Sequence, residues 1–365
     1  MYATWVEVDL GAIKDNISLI KKSTSAQVVV VIKANGYGHG ALPVAKAAME
    51  AGAAWLAVAR VEEVRELRQA GLDCPIMLFG RTPPSRLDEM IQQQVSLTVW
   101  EDIQVEQAAA AASRVGIIAK LQIKVDTGMG RLGAKPQDCL ALVAKIKSYP
   151  MLTLEGIFTH FARADETDLS SVDQQQHKFV ELLQALNANG YNHLLIHAAN
   201  SAASLCVPEA SFNLVRPGIA VYGLNPSRDC KLPSGFKPAL SWKASLSQVK
   251  ILPAGHGVSY GHEYVTTREE CIGVLPVGYA DGFRRTLGNQ ALVGGKKVPV
   301  VGRVCMDMCM LQLDDVPDAR AGDEIVLIGR QGDQQITTDD IATAWGTVNY
   351  EVVCGIGARV PRVYL

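Results

Sequence analysis

The residues best equipped for chemistry fall at the ends of apolar runs. "VVVIKANGYGHG" (29–40) is a valine-rich stretch that ends on Lys33 and then breaks into Gly36, Gly38 and Gly40. Arg131 lies in "VDTGMGRLG", just after the run "KLQIKVD"; His160 closes "LEGIFTHF"; Asn200 and Ser201 follow "HLLIHA"; Arg216 and Gly218 stand in "VRPGI". A lysine amine fixed at a strand end can act as nucleophile or base once its surroundings lower its pKa. Taken alone, such a lysine equally fits a structural role, with its stem on apolar surface and its head in water. Ser201 can open a short helix whose free N–H groups face an anion, and Gly218 lets the backbone approach one closely. An amine beside an anion site is equipment for carbonyl chemistry on a phosphorylated group.

Such residues act together only if the elements bring them to one place. Strand-like runs recur at 28–32, 54–59, 75–79, 95–100, 120–126, 154–161, 193–200 and 213–219. Helix-like segments such as "VEEVRELRQAG" and "EDIQVEQAAAAASR" separate them, and several end in glycine. Strand alternating with helix implies a parallel sheet, and eight repeats in about 200 residues predict an α/β chain that opens with a closed (β/α)8 TIM barrel. Barrel catalytic groups gather where strands end, which unites the residues above, and phosphate is commonly held after strands seven and eight. The loop after Lys33 is expected to be flexible, its glycines letting the backbone pass close beside a cofactor.

At "NPSRDCKLPSGFKP" (225–238) the texture changes to a linker. Short β-prone runs with turn residues follow, predicting a mostly-β C-terminal domain. The expected division is 8–228 for the barrel and 229–365, joined by an N-terminal strand at 1–7, for the second domain.

The net charge is −2, with no Lys/Arg block to suggest nucleic acid. No apolar run approaches the roughly 20 residues of a membrane span, and the N-terminus lacks the pattern of a signal peptide, so the expected location is cytoplasmic. The eight cysteines are scattered without C-x-x-C and read as free thiols. "VCMDMCM" (304–310) is sulfur-rich, but strand alternation, with Met306, Met308 and Met310 on one face and Cys305, Asp307 and Cys309 on the other, is the expected account, with no metal.

A strand-end lysine beside a phosphate site suggests pyridoxal 5'-phosphate. The motifs then resemble one family throughout. "KANGYGHG", "DTGMGRLG", "THFARAD", "VRPGIAVYG", "VSYGHEY", "PVGYADGFRR", "VGRVCMDM" and "GARVPRVY", in this order, are similar to the signatures of the bacterial alanine racemases. The resemblance implies that Lys33 carries the cofactor and serves as one base, with Tyr260 as the other base on the opposite face of the substrate. Tyr260 would be linked to His160 and Arg216, whose positive charge favours the phenolate. Arg216, backed by His197, would face the cofactor's ring nitrogen. Arg131, Met306 and Tyr279 would contact the substrate. Tyr37, Asn200, Ser201, Gly218, Ile219 and Tyr350 would bind the cofactor, and Asp307 would support the site. Tyr260, Tyr279 and Met306 would complete the partner subunit's site, implying a homodimer, and the product D-alanine would supply peptidoglycan.

Lys124 has two readings. In "KLQIKVD" the apolar Leu121, Ile123 and Val125 alternate with Gln122, Lys124 and Asp126, turning Lys124 into the barrel. There it either pairs with Asp126 or, as the resemblance implies, is carbamylated and steadies Arg131. A racemase of serine or of broad specificity is the alternative function. Less favoured is a decarboxylase on the same barrel, which places an acid where Arg216 stands.

Overall fold

The computed structural model of the chain describes residues 2–365. Two compact units are present: residues 11–36 with 41–237, and residues 2–10, 37–40 and 238–365. Strand β1 (Thr4–Val8) belongs to the second of these.

The first unit is the expected barrel. Strands β2 (Gln27–Val31), β3 (Trp55–Val58), β4 (Ile76–Leu78), β5 (Ser96–Val99), β6 (Ala119–Lys124), β7 (Leu152–Phe158), β8 (Leu195–His197) and β9 (Leu214–Val215) form a closed barrel in sequence order. Closure is parallel, with Gln27 opposite Leu214 and Val28 opposite Val215. Val28 to Val31 are buried because helices cover the outside of β2 while side chains fill the inside. Helix Val61–Gln69 shows how the outer layer forms: Val64 and Leu67 recur at helical spacing and are fully buried, while Glu62 and Glu66 face out. Helix Asp102–Val115 stops at Gly116, whose φ of 73° suits glycine.

Within β6 the alternation holds. Gln122 on β6 bonds His197 on β8, two strands away, a contact possible only across the barrel interior. Lys124 therefore also points inward, and it is only 5% exposed.

In the second unit, β10 (Leu240–Ser245), β11 (Gln248–Leu252), β12 (Gly257–Val258), β13 (Tyr264–Val265), β14 (Glu270–Leu275) and β15 (Gln290–Val293) come first. They are followed by β16 (Lys296–Val301), β17 (Cys309–Gln312), β18 (Glu324–Gln331), β19 (Gln334–Ile336) and β20 (Arg362–Tyr364). All but the β12–β13 hairpin join β1 in one sheet, ordered β11-β14-β17-β16-β15-β18-β10-β1-β20 with β19 on β18. β1 runs antiparallel to β10 and parallel to β20. Strict alternation of buried and half-buried residues along β10 marks a sheet with one face on a core, where Trp242 packs edge-on against Phe283. Two helices, Thr338–Trp345 and Asn349–Gly355, also belong here, within the part expected to be mostly β.

Two expectations change. β17 begins only at Cys309, so 304–308 is not a strand and the proposed alternation fails: Met306 and Met308 are exposed while Met310 is buried. The segment after Lys33 is no flexible glycine loop either. Ala34, Asn35, Gly36 and Tyr37 all have φ between 52° and 60°, one turn of left-handed helix. Three of them carry a Cβ, so the turn stores roughly 1–2 kcal/mol per residue of steric cost. The next two glycines serve the protein itself: a Cβ on Gly38 would strike the Val353 carbonyl, and one on Gly40 the Tyr364 hydroxyl.

Candidate functional site

Lys33 leaves β2 half-buried. Behind it, buried Tyr222 donates its hydroxyl to the Val31 carbonyl at 3.1 Å. The left-handed turn is fastened at both ends: Glu63 accepts from the Ala34 N–H at 2.6 Å, and Asn35 Oδ1 accepts from the Ala41 N–H at 2.8 Å. A strained backbone held from both sides fixes where Lys33 leaves the strand.

Arg131 rides an exposed loop pinned at its base, where the Asp126 and Ala134 N–H groups donate to the Ala134 and Lys124 carbonyls. Asp126 shapes that loop by accepting from the Gly128 and Gly130 N–H groups at 3.0 and 3.1 Å. Asp126 makes no ion pair with Lys124 among the described residues and acts on its amine only electrostatically. Burial first, then the Arg131, Arg216 and Lys33 charges, together bring Lys124 down to about 8 against the opposing pull of Asp126. Compared with an ordinary lysine, such an amine has a much larger neutral fraction near pH 7, and that fraction can attack an electrophile.

Arg216, 4% exposed, is the hub of the mouth. Its Nη2 donates to the Thr159 and Ala198 carbonyls at 2.9 and 3.0 Å and to His160 Nδ1 at 3.1 Å; Nη1 donates to His197 Nδ1 at 2.8 Å. Burial lowers Arg216 to about 9, leaving it cationic at neutral pH. Burial first and Arg216 second hold His160 and His197 well below the usual imidazole range. His160 is thus neutral, and Arg216 carries the positive charge of this pair.

The sequence did not single out three residues that complete this network. Gln122 Oε1 sits 3.2 Å from His197 Nε2, and Gln122 Nε2 donates to Glu155 at 3.0 Å. Phe158 stacks on His197 at 4.7 Å and 8°, with Arg216 and Lys124 at 5.3 and 5.9 Å from its ring. The polar phase of β6 was a signal for Gln122, but its partner stands 75 residues away.

Asn200 caps the helix Ser201–Cys206, accepting from the Ala203 N–H at 3.1 Å, as expected of a helix start. Ser201 Oγ accepts from Gly218 N at 2.9 Å and Ala220 N at 3.3 Å, while Ile219 is buried in the turn between them. These donors and the hydroxyl converge on one point, a cradle that would take an anion if Ser201 Oγ gave up the two N–H groups to it. The mouth, with Lys33, Lys124, Arg131 and Arg216 acting on one another and one opposing carboxylate, has an excess of positive charge that a phosphorylated cofactor fits.

Other predicted site residues lie in the second unit. Tyr37 and Tyr350 have ring centroids 6.2 Å apart. Tyr260, 70% exposed, stands on a turn where Ser259, Gly261 and His262 all have positive φ. Ser259 Oγ ties that turn to the Arg303 carbonyl at 2.6 Å. It borders a groove of about 450 Å³ that also includes Met306, Asp307 and Met308. Tyr279 is held beside Met306, with the Tyr279 and Ala280 N–H groups donating to the Cys305 and Met306 carbonyls at 3.0 Å. Asp307 accepts from Arg359 at 2.7 Å, and the same guanidinium reaches buried Asp281 at 2.8 Å.

Comparison with known proteins gives the family. Residues 8–226 match the family model "Alanine racemase, N-terminal domain" and residues 239–364 match "Alanine racemase, C-terminal domain". An alanine racemase of Halothermothrix orenii is 44% identical over 99% of this chain and 96% of its own length. The crystal structure of alanine racemase from D-cycloserine-producing Streptomyces lavendulae superposes with a TM-score of 0.96 at 40% identity, covering 100% of this chain and 97% of that one. One from Bacillus anthracis with bound L-Ala-P gives 0.94 at 41% identity, covering 100% and 96%. Both halves of the chain match this family's models, and relatives at 40% identity or more align along its whole length: the chain belongs to the alanine racemase family.

Proposed function

We propose that the chain interconverts L-alanine and D-alanine with pyridoxal 5'-phosphate as cofactor, making D-alanine available for peptidoglycan. The observation that carries this reading is Arg216: a buried cation, hydrogen-bonded to two neutral histidines, where a decarboxylase on this barrel would present an acid. When bound, the cofactor withdraws electrons from the substrate's α-carbon and so acidifies its proton. Lys33 would hold its aldehyde end. Tyr37, Asn200, Ser201, Gly218, Ile219 and Tyr350 would hold its phosphate side, and Arg216 would face the ring nitrogen with His197 behind it. A guanidinium there leaves that nitrogen unprotonated and the electron sink shallow, which favours return of the proton over other outcomes.

Inversion needs a proton taken from one face and returned to the other. Lys33 Nζ would serve one face and Tyr260 Oη the other. Arg131 would hold the substrate carboxylate, steadied by a carbamate on Lys124, with Met306 and Tyr279 closing around the small side chain. Formation of that carbamate is balanced: neutral Nζ adds to carbon dioxide, a C–N bond forms and a proton leaves to solvent. Because Tyr260, Tyr279 and Met306 are all exposed in this chain, we assign them to the site of a second copy in a homodimer.

The test is a circular-dichroism assay on L-alanine, D-alanine and L-serine, with borohydride reduction and peptide mapping of the loaded protein. Alanine turnover in both directions and cofactor mass on the Lys33 peptide are expected. Faster turnover of serine would favour the serine or broad-specificity alternative, and release of carbon dioxide the decarboxylase. Label on another lysine would remove Lys33 from its role.

A further inference from the structure

Cys206 is the last residue of the helix that begins at Ser201, and its Sγ lies 3.6 Å from Sγ of Cys230. Cys206 is exposed and Cys230 is 7% exposed, so one thiol of the pair meets solvent and the other waits behind it. The Cys230 loop is fixed on its own account. Ser227 donates to the Asp165 carbonyl at 2.5 Å and accepts from the Asp229 and Cys230 N–H groups, while Leu232 N–H donates to Asn225. Neither thiol touches the network around Arg216, and the cradle at Ser201 lies at the far end of the helix.

We propose that Cys206 and Cys230 form a thiol–disulfide exchange site whose reactant is a small disulfide such as oxidised glutathione. The Cys206 thiolate attacks one sulfur of the reactant. A mixed disulfide forms, the external S–S bond breaks and one glutathione leaves as thiolate. Cys230 then gives up its proton and attacks the Cys206 sulfur, expelling the second glutathione as the Cys206–Cys230 bond forms. Two protein thiols are oxidised, one external disulfide is reduced to two thiols, and the two protons pass to the departing thiolates. Burial first, then the neighbouring Cys206, hold the Cys230 thiol above its usual range, so its thiolate is scarce until the mixed disulfide brings a target beside it. The closed loop, 206–230, contains β9, Arg216 and Gly218, so the bond would tie the cradle's helix to the linker that follows the barrel.

Cys354 is also exposed, so the experiment uses the full-length C354S protein. It is incubated with oxidised glutathione, quenched with acid, alkylated and mapped. Glutathione should appear first on Cys206 and then fall as a Cys206–Cys230 linked peptide rises, with two thiols lost at the end point and both restored by dithiothreitol. Adding C230S should arrest the reaction at the mixed disulfide, and adding C206S should leave Cys230 alkylatable. A mixed disulfide on Cys206 that persists while Cys230 stays alkylatable, or no loss of either thiol, would overturn the proposal. None of these readouts depends on cofactor or turnover.

Discussion

At the scale of single residues, Lys124 gives the sharpest tests. Its amine is enclosed, has three cations acting on it and titrates near 8 rather than 10.5. The folded protein therefore binds fewer protons than the unfolded chain between those values. The cost of the enclosed cation is fully present below about pH 8 and is relieved as pH rises toward 10.5. In buffer free of carbon dioxide, the stability of the wild type relative to Lys124→Met should climb across that window, at up to about 1.4 kcal/mol per pH unit in denaturant melts. A flat difference would mean that Lys124 keeps an ordinary pKa. With ¹³C-bicarbonate present, a carbamate carbonyl signal should appear in the NMR spectrum and be missing from Lys124→Ala, whether or not cofactor is bound. Tyr260 belongs to the same scale: Tyr260→Phe should cut racemisation by about 10²–10⁴-fold, the usual worth of a positioned acid–base group. Equal, small losses from both enantiomers would exclude it as a base.

Between elements, the determining feature is the line Arg216, His197, Gln122, Glu155, which links the residue after β9 to β8, β6 and β7. Its direction is set from the Glu155 end. A carboxylate only accepts, so Gln122 turns its amide N–H to Glu155 and its oxygen to His197. That oxygen also only accepts, so His197 carries its proton on Nε2 and offers Nδ1 as a lone pair to Arg216. Gln122→Leu should remove the acceptor, leave His197 Nε2–H unsatisfied and cost about 1–3 kcal/mol of stability. The ¹⁵N shifts of His197 should then show the loss of a single tautomer. An unchanged tautomer in that variant would show that Arg216 alone fixes it. Gly38 acts between elements in the other unit, where Gly38→Ala should destabilise because the new methyl meets the Val353 carbonyl in a backbone already at positive φ.

For the whole molecule, the prediction concerns shared sites. Lys33→Ala and Tyr260→Phe homodimers should both be inactive. If each site takes Lys33 from one chain and Tyr260 from the other, co-folding the two variants yields hybrids with one intact site. Random pairing should then restore about a quarter of wild-type activity. Recovery of none would place both bases in a single chain.

The order of elements and the chemistry at their ends were written in local sequence. A valine run buried on both faces, helices closed by glycine and polar residues at strand ends are local patterns, and the barrel, Lys33, Arg216 and the Ser201 helix start were all legible from them. Family resemblance supplied Tyr260, because no local pattern distinguishes an exposed turn tyrosine from any other. Tertiary structure alone decided the rest. Whether the segment after Lys33 is loose or a left-handed turn depends on Glu63 and Asn35 holding it. Whether 304–308 is a strand depends on hydrogen-bond partners far along the chain. The same is true of Lys124, Gln122 and the Cys206–Cys230 pair. A pKa, a tautomer and a contact between two sulfurs belong to surroundings assembled from distant segments, and residue type and spacing carry no record of those surroundings.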